Sequence, residues 1–178
     1  MKLNTKGKVT SMPQKILLID PEKCTGCRIC EVACSLHHEK ECDPSKSRVH
    51  ILKWEGMGVD VPMLCVQCDE PICEAVCPVV AVHRDAETNA ISIDHEACIG
   101  CRMCAVACPF GGITLDMIGR KALVCDLCEG DPICVKLCPT GALRYEPATR
   151  AILMKKRKAA GRLGELMGKF VATSREMR

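Results

Sequence analysis

Cysteine is the residue type through which this chain could do chemistry. Seventeen of its 178 residues are cysteine, and all but Cys42 fall into four segments of four. The first holds Cys24, Cys27, Cys30 and Cys34, and the second Cys65, Cys68, Cys73 and Cys77. The third holds Cys98, Cys101, Cys104 and Cys108, and the fourth Cys125, Cys128, Cys134 and Cys138. Pro78, Pro109 and Pro139 directly follow the last cysteine of segments two, three and four. Thiolates clustered this closely are soft, anionic metal ligands. Disulfides are the other use of so many cysteines, but they belong to exported proteins, and Met1 to Lys15 is polar and basic with no apolar export core. No run approaches the ~18 apolar residues that span a bilayer. The expected setting is the reducing cytoplasm, with the cysteines holding metal.

The spacing narrows the metal. C-x2-C-x2-C-x3-C-P is the bacterial run that holds [4Fe–4S] clusters, its fourth cysteine ligating the other cluster of a pair. Three thiolates two residues apart sit on a loop wrapping one corner of an iron–sulfur cube. Gly26 and Gly100 lie inside such loops, where backbone must turn and come close to inorganic sulfur. The x3 step is nearly one helical turn, so the last cysteine leaves the loop on a short helix that proline then ends. Segments two and four carry longer spacers, x4 and x5, before their third cysteine. Zinc sites use two C-x2-C pairs, which leaves the x2 and x3 steps of the repeated segments unexplained.

Short strands are expected to position these loops. Ile16 to Asp20 precedes segment one, and Ala90 to Asp94 precedes segment three. After the prolines come Val79 to Val82, Phe110 to Ile113 and Thr140 to Leu143, each a turn into another strand. Turn signals at Glu87-Thr88-Asn89, Ile118-Gly119-Arg120 and Pro147-Ala148-Thr149 predict hairpins. Strand, loop, short helix and strand make an α+β unit, present about twice. Aromatic residues are only Trp54, Phe110, Tyr145 and Phe170, so an ordinary large apolar core is excluded and the metal must supply cohesion.

From about Lys15 to Pro147 the chain resembles the four-cluster, ferredoxin-like electron-transfer subunits of multi-subunit redox enzymes, of which the dimethyl sulfoxide reductase type is best known. Cys34 is followed by Ser35 rather than proline, a habit of these subunits. The stretch Cys24-Thr25-Gly26-Cys27-Arg28-Ile29-Cys30-Glu31, with Cys34-Ser35-Leu36, His38 and Pro44 to Arg48, is most similar to subunits accompanying tungsten aldehyde oxidoreductases. The compact Pro109 to Ile113 continues that likeness. The resemblance implies two ferredoxin-like lobes, each binding two [4Fe–4S] clusters: residues 1–48 plus 119–150, and residues 49–118. It implies one cluster on Cys24, Cys27, Cys30 and Cys138, and a neighbour on Cys125, Cys128, Cys134 and Cys34. In the other lobe it implies Cys65, Cys68, Cys73 with Cys108, and Cys98, Cys101, Cys104 with Cys77.

Residues 151–178 form the expected docking tail. From Arg150 to Arg178 nine Lys or Arg stand against Glu165 and Glu176, whereas residues 1–149 hold 16 basic and 20 acidic residues. Leu163, Leu166, Met167, Phe170 and Val171 make one apolar helical stripe, predicting a basic amphipathic helix. Gly161, Gly164 and Gly168 weaken it by roughly 1 kcal/mol each against alanine, so it needs a surface, expected to be a partner subunit.

The function expected is electron relay without catalysis. The chain would pass single electrons between a catalytic oxidoreductase subunit, containing tungsten or molybdenum, and a further redox subunit or soluble carrier. Carbon monoxide dehydrogenase or formate–hydrogen systems, or a free-standing polyferredoxin, are the alternatives; a zinc scaffold is the third class. His37, His38, His50, His83 and His95 form no catalytic arrangement, and G-x-G-x-x-G and P-loop patterns are absent. No nucleic-acid partner and no transmembrane segment are expected. Arg28, Arg102 and Lys136 lie in cluster loops, where a cation would raise a potential. His38 is expected to be structural or superficial, and Cys42 a buried or bystander thiol.

Overall fold

Eight short strands and four helices succeed one another in residues 15–149, which, with Gly161 and Glu165, are what the computed structural model describes. The strands are β1 (Lys15–Ile19), β2 (Val49–Trp54), β3 (Val59–Leu64), β4 (Val82–Arg84), β5 (Ile91–Ile93), β6 (Ile113–Asp116), β7 (Lys121–Val124) and β8 (Leu143–Pro147). The helices are α1 (Ile29–Glu39), α2 (Ile72–Ala75), α3 (Met103–Ala107) and α4 (Ile133–Lys136). The result is a small α+β protein.

Every sheet has two strands: β1 with β8, β2 with β3, β4 with β5, and β6 with β7. The last three are antiparallel, with Val49 opposite Leu64, Val82 opposite Ile93, and Ile113 opposite Val124. The turn signals at Glu87–Asn89 and Ile118–Arg120 join the β4–β5 and β6–β7 hairpins. Pro147–Thr149 instead ends β8, and no hairpin continues from it among the described residues. β4, β6 and β8 each begin at the fourth residue after Pro78, Pro109 and Pro139. The β2–β3 hairpin is not among the sequence expectations; it turns through Glu55–Met57 and a left-handed Gly58. In β2, buried Val49 and Ile51 flank half-buried His50, whose Nε2 lies 2.7 Å from Thr114 Oγ1 of β6.

By contacts the chain divides into a unit of Leu18–Arg144 and one of Met1–Leu17 with Tyr145–Arg178. In the smaller, the Lys15 ammonium lies 5.6 Å from the centroid of the Tyr145 ring. In the larger, Leu18, Val49, Ile51, Val61, Leu64, Val82, Ile91, Leu123 and Leu143 are buried together with seven motif cysteines. Of its buried polar groups, Ser47 Oγ donates to Val49 O at 2.6 Å and Glu31 Oε1 accepts from Ile51 N at 2.5 Å, while Glu31 Oε2 is buried without a hydrogen bond among the described residues. The amphipathic helix expected around 163–171 lies outside the described residues, except that Gly161 and Glu165 are helical. Among the described residues no helix is long and apolar enough to cross a membrane.

Candidate functional site

The four cysteine segments share one backbone device. The residue just before the second cysteine is left-handed in each: Gly26, Gln67, Gly100 and Leu127. That conformation reverses the chain so that successive thiols face one centre. Glycine adopts it without cost, while Gln67 and Leu127 accept a strained geometry. Space makes glycine necessary too. A Cβ on Gly26 would lie 2.5 Å from the Asp60 carboxylate, and one on Gly100 would overlap the Arg120 carbonyl oxygen. In segments one and three a second left-handed residue, Arg28 or Arg102, then starts α1 or α3. The arginines thus serve as helix entry points, and Arg28 Nε lies 3.8 Å from Glu31 Oε2.

The fold gathers thiols four at a time across long sequence distances. Cys24, Cys27, Cys30 and Cys138 line one cavity, and Cys77, Cys98, Cys101 and Cys104 line another. Cys65 lies within electrostatic reach of Cys73, Cys68 and Cys108. Cys134 stands likewise near Cys128 and Cys34, and Cys125 near Cys134. The sets also adjoin: Cys134 lies in reach of Cys30, and Cys125 of Cys65. Gln67 ties the last two loops together, donating to Cys125 O at 2.6 Å and accepting from Ile91 N at 2.7 Å. α2, carrying Cys73, packs on α3, carrying Cys104. Cys42 takes no part and is exposed rather than buried.

The last cysteine of each segment receives hydrogen bonds from backbone. Arg48 N donates to Cys34 Sγ at 3.3 Å, Ala81 N to Cys77 Sγ at 3.2 Å, and Gly112 N to Cys108 Sγ at 3.3 Å. The approach at Gly112 is close: a Cβ there would sit 2.7 Å from Cys65 Cα. Burial opposes ionisation of Cys77, but the N–H groups of Val82, Val79, Ala81 and Val80 outweigh it and bring the thiol below its ordinary value. Cys138 behaves alike, its burial outweighed by Leu143 N–H, the Thr140 hydroxyl and Ala142 N–H. Cys24, Cys73, Cys104 and Cys125 are opposite in character, raised above the ordinary thiol value chiefly by burial. Burial pushes Cys30, Cys65 and Cys134 up to about 12. Such thiols hold their protons until a cation replaces them.

Charged neighbours differ between the sets. Asp60 raises Cys24, and buried Glu31 adds to the rise at Cys30. Near Cys128 the neighbours are Asp126 and, with opposite sign, Arg48. His38 is largely buried against this same set, its Nε2 3.6 Å from Cys128 Sγ and 3.5 Å from Asp126 Oδ1. The expectation of a merely structural or superficial His38 is therefore incomplete. The signal for its position was its place one turn after Cys34 on α1. His37, His38 and Cys128 bring ligand atoms within 4.8 Å of one another. Lys136 is engaged by Asp131 rather than by a thiol. All-thiol sets of four, with backbone N–H groups aimed at sulfur and glycines where a Cβ would collide, fit [4Fe–4S] groups.

Comparison with known proteins agrees with that fit. Residues 58–148 match a 4Fe-4S dicluster domain, and residues 15–36 match a 4Fe-4S binding domain. The chain is 43% identical over 123 residues to the polyferredoxin-like subunit of aliphatic sulfonate oxidoreductase from Pyrococcus furiosus, covering 68% of this chain and 70% of that one. It is 34% identical over 154 residues to the electron transport protein HydN of Escherichia coli (strain K12), covering 72% and 86%. Among solved structures, a chain of the active site complex BamBC of benzoyl coenzyme A reductase, in complex with zinc, is 26% identical at a TM-score of 0.47. That match covers 89% of this chain and 97% of the other.

Proposed function

Since the chain belongs to the 4Fe-4S dicluster domain family, we propose that it is an iron–sulfur electron-transfer subunit holding four [4Fe–4S] clusters. The ligand sets are Cys24, Cys27, Cys30, Cys138; Cys125, Cys128, Cys134, Cys34; Cys65, Cys68, Cys73, Cys108; and Cys98, Cys101, Cys104, Cys77. The first two sets belong to a lobe of residues 1–48 with 119–150, the others to a lobe of 49–118. The observation that carries this reading is the meeting of three thiols of one segment with the last thiol of another, seen at Cys138 and Cys77. Spacing of that kind suits paired cubes and has no use in a zinc ribbon. When bound, each cluster supplies a one-electron couple.

The chain's own residues do three things. Backbone N–H groups at Arg48, Ala81 and Gly112 stabilise negative charge on cysteine sulfur. The proximity of Cys134 to Cys30 and of Cys125 to Cys65 supports a relay from the Cys24 set through the Cys125 set to the Cys65 set. Exposed Cys27 and Cys101 bring the outer sets to the surface, where partners dock. One partner is a catalytic oxidoreductase subunit, for which we propose a tungsten or molybdenum enzyme of the aldehyde oxidoreductase type; the other is a second redox subunit or a soluble carrier. The 43% identity to a subunit named for an oxidoreductase supports the partnership. The likeness of Cys24 to His38 and of Pro44 to Arg48 supports the metal. Residues 151–178 dock to the catalytic subunit, the chain itself is non-catalytic, and the compartment is the cytoplasm.

Anaerobic purification of the full chain tests the core of this reading. About sixteen iron and sixteen sulfide per chain are expected, with EPR signals on reduction; a colourless protein, or zinc in place of iron, would refute it. Isolating the native complex and assaying tungsten and molybdenum tests the partner, and a partner free of both metals rejects that assignment.

A further inference from the structure

We infer that His38 donates a hydrogen bond from Nε2 to Cys128 Sγ and so raises the reduction potential of the one cluster bound by Cys125, Cys128, Cys134 and Cys34; this rests on the ligand assignment above. His38 lies one helical turn beyond Cys34, so α1 presents both to the same centre. Nε2 is 3.6 Å from Cys128 Sγ, and the side chain is only 13% exposed. A second acceptor fixes the tautomer. Asp126 Oδ1 lies 3.5 Å from the same nitrogen and is itself held by Cys128 N at 2.9 Å. A carboxylate and a ligating thiolate only accept hydrogen bonds, so the nitrogen facing both must carry the proton.

Adding an electron to a thiolate-ligated centre increases the negative charge on its sulfurs. A donor aimed at one sulfur therefore stabilises the reduced form more than the oxidised form. Among the described residues, this is the one histidine ring within hydrogen-bond distance of a motif cysteine. His38 is a positioning residue for charge, not a ligand.

The test compares redox titrations, followed by EPR, of the full chain and of its His38→Leu and His38→Gln variants. His38→Leu is expected to lower one midpoint of four and leave the other three in place. His38→Gln keeps an N–H near the position of Nε2 and is expected to restore most of the shift. Four unchanged midpoints in His38→Leu would overturn the inference, as would equal shifts in both variants, which mark a structural role. Loss of iron from both variants would overturn it by making His38 a ligand. Should His38→Leu fail to fold, the unaltered protein decides. Labelled with 15N-histidine and reduced, it should show in pulsed EPR a histidine nitrogen coupled to one cluster, and no such coupling overturns the inference. Iron and sulfide content test the ligand assignment separately, since fewer than four clusters in the unaltered chain would sink that assignment instead.

Discussion

The ligand thiols of this chain differ according to what surrounds them, and two outcomes follow. Cys30, Cys65 and Cys134 are pushed up to about 12 by burial, so at neutral pH each retains its proton until metal displaces it. Loading with iron and sulfide therefore expels protons. The rate at which brown colour develops is expected to fall as pH is lowered, with measurable acid release in weakly buffered solution; a pH-independent rate without proton release would contradict this. Asp60 acts on the finished site. Its carboxylate overlies Gly26 and raises Cys24, while Lys53, 3.8 Å away, offsets only part of its charge. Asp60→Asn is expected to raise the midpoint of the cluster on Cys24, Cys27, Cys30 and Cys138. Tens of millivolts correspond to ~1 kcal/mol of charge interaction in a one-electron couple. A redox titration in which no midpoint rises would rule it out.

A loop that turns through a left-handed residue before its second cysteine is the unit from which the protein is built. Gly100 is its most constrained case, with positive φ and the Arg120 carbonyl of the β6–β7 turn where a Cβ would lie. Gly100→Ala must displace that turn or open the loop. It is expected to cost the protein one cluster, about four of its irons, while the other sets load; full iron content would show that the turn yields. The short helices end two or three residues before their prolines and leave Cys77, Cys108 and Cys138 beyond them rather than on them, but the glycine loops were legible because each leaves a residue of distinctive type at fixed spacing. The left-handed Gln67 and Leu127 were not, since neither residue type signals that conformation and the surrounding structure imposes it. The β2–β3 hairpin escaped for a related reason. Polar or charged residues interrupt its strands, and its turn is read only once Val49 faces Leu64. The place of His38 depended on segment four folding back onto α1, a contact over ninety residues that no local pattern encodes.

In residues 15–149, four two-stranded sheets and four helices, three of them of about one turn, make a weak scaffold when taken together. The antiparallel hairpins pair over three to six residues a strand, and an isolated hairpin is marginal in water. Among the described residues 26 apolar side chains are buried, and seven of them are motif cysteines. About a quarter of that core is thus ligand, and its thiols lie on segments far apart in sequence. Cross-linking such segments through metal restricts the unfolded chain as well as holding the folded one, so binding energy becomes folding energy. Removing iron should then unfold the larger unit rather than leave a folded shell. Oxidation followed by chelation, under reductant that keeps the thiols free, is expected to abolish the far-ultraviolet circular dichroism of the strands and helices in step with the loss of colour. Anaerobic reconstitution should restore both. Persistence of the native spectrum in iron-free protein would mean that the apolar core alone suffices, and would separate this chain from metal-dependent folders.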